Sequence, residues 1–164
     1  MKMVRLVSLM IALVVLASGS VAAQQPAGPP PYGPSITLEQ AKKVLTGAEA
    51  EARKNNWNVV IAIVDAGGNI VSLQRMDNTQ FGSVEVARQK AWTAVAYRRP
   101  TKVFEDAVAG GGMGVRILRL EGVAPLEGGL PITIDGKIVG AIGVSGVTSA
   151  QDGQIAKAGI DALK

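Results

Sequence analysis

The chain has 164 residues, with 17 basic and 13 acidic side chains, and it contains neither histidine nor cysteine. The sequence therefore cannot build a Ser-His-Asp triad, a cysteine nucleophile, an iron–sulfur cluster or a zinc site of His and Cys ligands. Its basic residues do not form a stripe with interleaved aromatics, so nucleic-acid binding receives little support.

The first 23 residues have the parts of a secretion signal. Lys2 and Arg5 give a basic start, Leu6 to Leu16 form an apolar run, and Val21-Ala22-Ala23 is a small-residue cleavage site. The apolar run is shorter than the ~20 residues needed to span a bilayer, although an uncleaved signal anchor is the alternative. We therefore expect a periplasmic or secreted protein with no membrane partner after cleavage.

Residues 24–35 contain five of the eight prolines. Such a segment buries too little apolar surface to offset the entropy lost on ordering, so we expect a disordered linker. Residues 36–164 then form one domain, which is large enough for a hydrophobic core of its own.

The first half of this domain reads as a helix followed by a hairpin. Thr37 and Gln40 have the spacing of a capping box, which predicts a helix from Thr37 to about Lys54. The β-branched run from Trp57 to Val64 predicts a buried strand. A turn at residues 65–69 leads into a second strand, Ile70 to Met76.

The middle of the domain is predicted to be helical. Small and apolar residues recur at helical spacing from Phe81 to Tyr97, and Pro100 ends that helix. Thr101 can cap the next helix, which begins near Val103. Glycines at 110–112 and 114 interrupt that helix, and we expect a strand-like or irregular piece up to Leu120.

A second hairpin and a final helix complete the prediction. Strands Leu130 to Ile134 and Ile138 to Val144 flank Asp135-Gly136, a pair typical of two-residue turns, and the last helix runs from about Ser149 to Lys164. Glycines 140, 143 and 146 indicate that another backbone or a ligand covers this strand. The order of elements predicts an α/β fold, a single-domain sandwich with a mostly antiparallel sheet flanked by helices.

Several segments together carry a family resemblance. They are Gly128-Gly129-Leu130-Pro131-Ile132, Gly140 through Gly146, Gln151-Asp152, Lys90-Ala91-Trp92-Thr93-Ala94 and Arg99-Pro100-Thr101. The pattern resembles the GlcG/HbpS-like family of haem-binding proteins, also called domain of unknown function 336, which includes the C-terminal domain of one type of cobalamin adenosyltransferase. The resemblance extends over roughly Ile36 to Lys164. It implies that the protein binds haem and forms a homo-oligomer. Together with the signal features and the absence of histidine and cysteine, it leads us to expect an exported binder or sensor of haem, or of a related flat anionic ligand, without catalysis.

The resemblance directs attention to five candidate haem-binding residues. It suggests the hydroxyl of Thr101 as a ligand to the iron, and Tyr97 is the alternative because phenolate binds ferric haem in other proteins. Arg99 and Lys90 are candidates for pairing with the propionates. Met113, in the glycine cluster, is a candidate soft contact. The pocket is expected between residues 99–115 and the strand 140–146, at a subunit contact.

Each candidate also has a purely structural interpretation. Thr101 can be an ordinary helix cap, Lys90 a solvated or ion-paired lysine, and Met113 a filler of the core. An alternative function is an accessory enzyme of glycolate or diol metabolism, in which Asp65 or Asp152 acts as a base. Those two residues can equally be a turn-former and a partner of the helix dipole. A module that only binds a protein partner is a third alternative.

Cleavage of the signal is directly testable. We expect N-terminal sequencing of the protein recovered from an expressing bacterium to begin at Gln24, since the small residues at positions 21–23 fit the signal peptidase site. A mature chain that retains Met1 and fractionates with the membrane would instead establish the signal anchor.

Overall fold

Four antiparallel strands form the sheet on which the fold is built. The computed structural model describes residues 28–164, so the signal 1–23 and linker residues 24–27 lie outside the described residues. The strands are β1 (Val60–Asp65), β2 (Ile70–Arg75), β3 (Gly129–Ile134) and β4 (Lys137–Ser145), in the spatial order β2-β1-β4-β3. The helices are α1 (Leu38–Lys54), α2 (Ser83–Ala96), α3 (Lys102–Ala109), a 3₁₀ helix (Gly112–Arg119) and α4 (Ser149–Asp161).

The predicted α/β sandwich is confirmed, because helices cover both faces of this sheet. One face packs against α1 and α4 through Ile61, Ile63, Ile142 and Val144. The other packs against α2 through Val60, Ala62, Val64 and Ala141. Side chains of β1 and β4 thus alternate between two buried layers, which explains the nearly continuous apolar character of both strands.

Local sequence determines both hairpins and the start of the first helix. In the β1–β2 turn, Asp65 Oδ1 accepts hydrogen bonds from the backbone N–H groups of Gly67 and Asn69. In the β3–β4 turn, Asp135 and Gly136 have φ angles of 50° and 72°, as a type I′ turn requires. The Thr37 and Gln40 capping box is also present.

The glycine-containing strand β4 is covered by other parts of the chain, as predicted, with the α2 backbone lying over Gly143. A Cβ added at Gly143 would collide with the carbonyl oxygen of Ala87 and would lie 2.5 Å from the backbone nitrogen of Ala91. Every residue of β4 after Lys137 is buried. The expectation that strand 140–146 walls an open pocket is therefore wrong, because the missing side chain lets the α2 backbone lie directly on the sheet.

The segment after the glycine cluster differs from the expected strand-like or irregular piece. Gly111 and Gly112 take positive φ angles, after which residues 112–119 form a 3₁₀ helix. This helix packs chiefly against α3, and Gly114 lies against the carbonyl group of Ala107. The segment thus turns back toward α3 and does not join an edge of the sheet.

The last part of the expected disordered linker is ordered. Ile138 donates its N–H to the carbonyl of Pro31 and accepts from Gly33, each at 2.8 Å, and the N–H of Ile36 donates to Val139 at 2.7 Å. The disordered-linker prediction is therefore wrong for residues 31–35, because backbone hydrogen bonds to β4 compensate for the ordering. We call residues 31–36 the N-terminal strap.

Among residues 28–164, no helix is both long enough and apolar enough to cross a bilayer.

The contact between α2 and β4 gives a stability prediction. Gly143→Val should lower the free energy of unfolding by about 1–3 kcal/mol or more, because the new side chain overlaps the α2 backbone. Urea unfolding measures the loss. Gly82→Ala is the matched control, since a Cβ there meets no atom within 4 Å and Gly82 already has helical dihedrals. Equal unfolding midpoints for Gly143→Val and the wild type would contradict the covered-face explanation.

Candidate functional site

Three aromatic rings follow one another along the end of α2 and the start of α3. The Trp92 and Tyr97 ring centroids are 6.2 Å apart, and those of Tyr97 and Phe104 are 5.2 Å apart, both pairs edge-on. The guanidinium carbon of the exposed Arg99 lies 5.9 Å from the Phe104 centroid. We call Trp92, Tyr97 and Phe104 the aromatic row. It combines a partly exposed indole, a phenol and an adjacent cation, with the buried Phe104 ring behind them.

An open pocket of about 370 Å³ adjoins the first ring of this row. Its lining residues come from α2 and from the loop after the 3₁₀ helix: Arg88, Gln89, Trp92, Glu121 and Gly122. Gly122 has a φ of 75°, and a Cβ there would lie 3.4 Å from the indole of Trp92. A pocket of this size is at the lower end of those that hold small molecules, so it suits a ligand that also contacts the surface around it.

The neighbouring segment presents an unusual number of apolar side chains to solvent. Residues 102–120, which we call the arm, comprise α3 and the 3₁₀ helix. Met113 is 71% exposed, and other apolar side chains of the arm are exposed with it: Val103, Val115, Leu118 and Leu120. Arg116 and Arg119 are exposed on the same 3₁₀ helix. Contiguous apolar surface of this kind marks a place where a ligand or another chain binds.

The structure brings two of the five predicted site residues together. Arg99 Nε donates a hydrogen bond to the backbone carbonyl of Tyr97 at 3.1 Å, and both side chains lie at Phe104. Tyr97 is half-buried. Met113 is on the exposed arm and does not fill the core.

Thr101 lies close to these residues in sequence, but its side chain is fully buried. Its hydroxyl accepts a hydrogen bond from the N–H of Gly129 at 2.9 Å, and its own N–H donates to the carbonyl of Gly129 at 2.9 Å. The side chain makes no cap hydrogen bond to α3. The expected side-chain cap is therefore wrong, and Thr101 joins the start of α3 to the start of β3.

Lys90 is in the sheet-facing interior of the domain. Its ammonium lies 2.8 Å from Asp152 Oδ2 and donates to the carbonyl of Val144 at 3.0 Å, with 2% of the side chain exposed. Residues two apart on a helix point in nearly opposite directions, so Lys90 faces away from Trp92 and its pocket. The ion-paired interpretation of Lys90 is the one found, and its ammonium is already partnered in this structure.

The two candidate bases are also engaged in structural roles. Burial raises the pKa of Asp152, while the nearby Lys90 ammonium and the backbone of Val147 oppose that rise. Hydrogen bonds from the backbone and side chain of Asn69 lower the pKa of Asp65 below its ordinary value, with further help from Gly67. Neither carboxylate is aimed into the pocket beside Trp92. Within residues 28–164, no group of three or more acidic residues is placed to hold a metal ion.

Sequence reasoning did not select Trp92 and Phe104 as site residues. A usable signal was present, because the chain has only two tryptophans, two tyrosines and two phenylalanines, and one of each lies between positions 92 and 104. Their helical spacing did not reveal that they meet, since they stand on different helices separated by a turn.

Comparisons with known proteins agree on one family. The family model described as haem degrading protein HbpS-like matches residues 36–161. Protein GlcG of Escherichia coli strain K12 is 41% identical over 110 residues, which cover 67% of this chain and 81% of that protein. The crystal structure of HbpS has 33% identity and a TM-score of 0.74, and covers 85% of this chain and 98% of its own. The crystal structure of the PduOC:heme complex has 32% identity and a TM-score of 0.71, and covers 78% of this chain and 94% of its own.

The buried pair gives a prediction with a defined pH dependence. Lys90→Met should cost about 3–5 kcal/mol near neutral pH, because it leaves the Asp152 carboxylate buried without its cation. Burial then holds the folded-state pKa of Asp152 above its unfolded value. Lys90→Met should therefore be most stable below the unfolded-state pKa of Asp152, where the carboxyl is protonated in both states. It should lose that stability as the pH rises through the folded-state pKa of Asp152.

Urea unfolding between about pH 4 and pH 8 tests this dependence. The double variant Lys90→Met/Asp152→Leu is the control and should recover most of the loss at neutral pH, since neither charge remains. A deficit in Lys90→Met that is independent of pH would contradict the assignment.

Proposed function

The chain belongs to the HbpS-like family, and from that membership we propose that it is an exported haem-binding protein that acts as a binder or sensor. The observation that carries the proposal is the aromatic row with Arg99 beside it. A partly exposed indole next to a phenol and an exposed guanidinium matches the chemistry of an apolar macrocycle that bears propionates. The signal features of residues 1–23 support a periplasmic or extracellular location.

The residues present fit haem in their chemistry. The chain offers no imidazole or thiolate, but the phenol of Tyr97 and the thioether of Met113 are both groups that ligate haem iron in proteins. The exposed guanidinium of Arg99 can make a two-point contact with a carboxylate. When bound, haem would supply an iron centre that the protein's own side chains cannot provide.

Each residue of the aromatic row would have a distinct part in this binding. Trp92 provides partly exposed apolar surface, Tyr97 provides a phenol oxygen, and the buried Phe104 packs edge-on against Tyr97 and supports it from within. Arg99 provides the charge for a propionate. We place Tyr97 first among the iron ligands because its side chain is partly exposed and its ring contacts Trp92, which lines the pocket.

Two of the other predicted site residues, Thr101 and Lys90, would first have to release their present hydrogen-bond partners. Thr101 can ligate iron only after its hydroxyl leaves Gly129, and Lys90 can reach a propionate only after its ammonium leaves Asp152. Met113 needs no such release, since it is exposed on the arm. We therefore retain Thr101 and Lys90 as secondary candidates behind Tyr97, Arg99 and Met113.

We also propose that copies of the chain associate through the arm. The arm exposes five apolar side chains within residues 103–120, more than a solvated surface of that length normally carries. A second copy covering them would remove the apolar side chains from water and enclose the ligand beside the aromatic row.

A titration with hemin tests the haem proposal. We expect saturable binding with a high-spin ferric spectrum, because no imidazole or thiolate is available to form a strong-field pair. Tyr97→Phe should change the spectrum. Arg99→Ala should weaken binding about three- to tenfold with the spectrum unchanged, as expected for loss of a partly solvated charge contact.

The control for Arg99→Ala is Arg53→Ala. Arg53 is an exposed arginine at the end of α1, on the opposite face of the sheet from α2. This variant should bind hemin like the wild type. Absence of any saturable spectral change in the wild type would overturn the haem proposal, and an equal loss in both arginine variants would remove Arg99 from the site.

Association through the arm is tested separately. Light scattering of the mature protein at micromolar concentration should give a mass above that of one chain, and Leu118→Glu should reduce it, because a carboxylate in the contact would be desolvated. Leu38→Glu is the control, since Leu38 is comparably exposed but lies on α1. A monomeric wild type, or an unchanged mass for Leu118→Glu, would contradict this interface.

A further inference from the structure

The N-terminal strap reaches the C-terminal end of α2 through one side chain. The Tyr32 hydroxyl donates a hydrogen bond to the carbonyl of Val95 at 2.8 Å and lies 3.3 Å from that of Ala96. These carbonyls belong to the last turn of α2, where few N–H groups of the helix remain to satisfy them, and that of Val95 also accepts from the N–H of Arg98. Tyr32 therefore caps α2 from a segment more than sixty residues away in sequence.

The same tyrosine contacts a residue with a strained backbone. Arg98 has a φ of 54°, in the left-handed region that an arginine seldom adopts. Its guanidinium carbon lies 5.6 Å from the Tyr32 ring centroid, a cation–π arrangement. A strained conformation persists only where surrounding contacts hold it, and Tyr32 supplies two of those contacts.

The backbone held in this way directs both accessible residues of the candidate site. Tyr97 and Arg99 flank Arg98, and the left-handed turn at Arg98 sends them to the aromatic row while Arg98 itself meets the strap. The N–H groups of Arg98 and Arg99 return to the carbonyls of Val95 and Ala94, each at 3.2 Å. The geometry of Tyr97 and Arg99 is thus tied to the end of α2 that Tyr32 caps.

The strap is fixed firmly enough to act as a support. Its backbone pairs with Ile138 on both sides of Tyr32, and Ile36 at its end is buried. Tyr32 itself remains 46% exposed, so burial of its ring is not the main reason for its position.

We propose that Tyr32 is a positioning residue for Tyr97 and Arg99, and that the strap thereby sets the affinity of the site. This inference rests on the proposed haem-binding function. It assigns to the strap a role that a simple linker would not have. Removal of the strap by proteolysis would loosen the site without cutting the folded domain.

The test compares Tyr32→Phe and Tyr32→Ala with the wild type. Tyr32→Phe removes only the hydroxyl, and Tyr32→Ala also removes the ring beneath Arg98. Amide hydrogen exchange at Arg98 and Arg99 should become about two- to tenfold faster in Tyr32→Phe, the change expected for one lost hydrogen bond, and faster still in Tyr32→Ala. Hemin affinity should fall in the same order, with the thermal midpoint nearly unchanged.

Phe81→Ala is the matched control. Phe81 is an exposed aromatic whose ring lies 5.0 Å from the guanidinium carbon of Arg75, so its loss also removes a cation–π pair. It precedes the N-terminus of α2, a fourteen-residue helix that is roughly 21 Å long, whereas Tyr97 follows its C-terminus. This variant should leave both exchange at Arg98 and hemin affinity as in the wild type.

The outcomes separate the inference from the function on which it rests. Unchanged exchange at Arg98 and Arg99 in Tyr32→Ala would overturn the positioning role. Faster exchange with unchanged hemin affinity would overturn its link to the site. If the wild type binds no hemin, both the proposed function and its link to the strap are overturned. Faster exchange in Tyr32→Ala would then still show that Tyr32 holds Tyr97 and Arg99 in place.

Discussion

The close packing of α2 on β4 at Gly143 is the contact on which the rest of the structure depends. Because no side chain separates them, the helix backbone lies directly on the sheet, and its outer face is placed at a fixed height above it. Trp92 projects from that outer face, and Tyr97 follows at its end. The interior face carries Lys90 to Asp152 on α4, across the end of β4. A bulkier residue at position 143 would move both faces of α2 at once.

The buried ion pair and the exposed arm illustrate opposite uses of polar and apolar groups. Lys90 and Asp152 place charges in the interior, where their mutual contact and the carbonyl of Val144 compensate for lost hydration. Such a pair contributes modest net stability, but it disfavours any packing that separates α2 from α4. The arm does the reverse and leaves Met113 and Leu118 in water. The buried Lys90–Asp152 pair holds α2 and α4 in a fixed arrangement, and the exposed arm provides one apolar side for binding.

Much of the fold was predictable from local patterns, because those patterns act over a few residues. The Thr37 capping box and the Asp135-Gly136 turn each have a short-range physical cause, and each was identified correctly. The docked strap was missed because it depends on a distant partner, Ile138. The 3₁₀ helix was missed because the glycines before it indicate a break in the chain but not that the chain turns back onto α3. Lys90 and Thr101 were assigned to a ligand because sequence position does not reveal that their polar atoms find partners on α4 and β3.

The 3₁₀ helix also sets the length of the arm. Eight residues in this geometry extend about 16 Å, whereas the same residues in an α-helix extend about 12 Å. Conversion between the two would shorten this part of the chain by roughly 4 Å and rotate Met113 and Leu118 relative to one another. Glycines stand at both borders of the segment, at positions 111, 112 and 122, and all three already have positive φ. A change of pitch would therefore move the end of the arm by that distance and change the chain direction at those glycines, while α2 and the sheet beneath it keep their places.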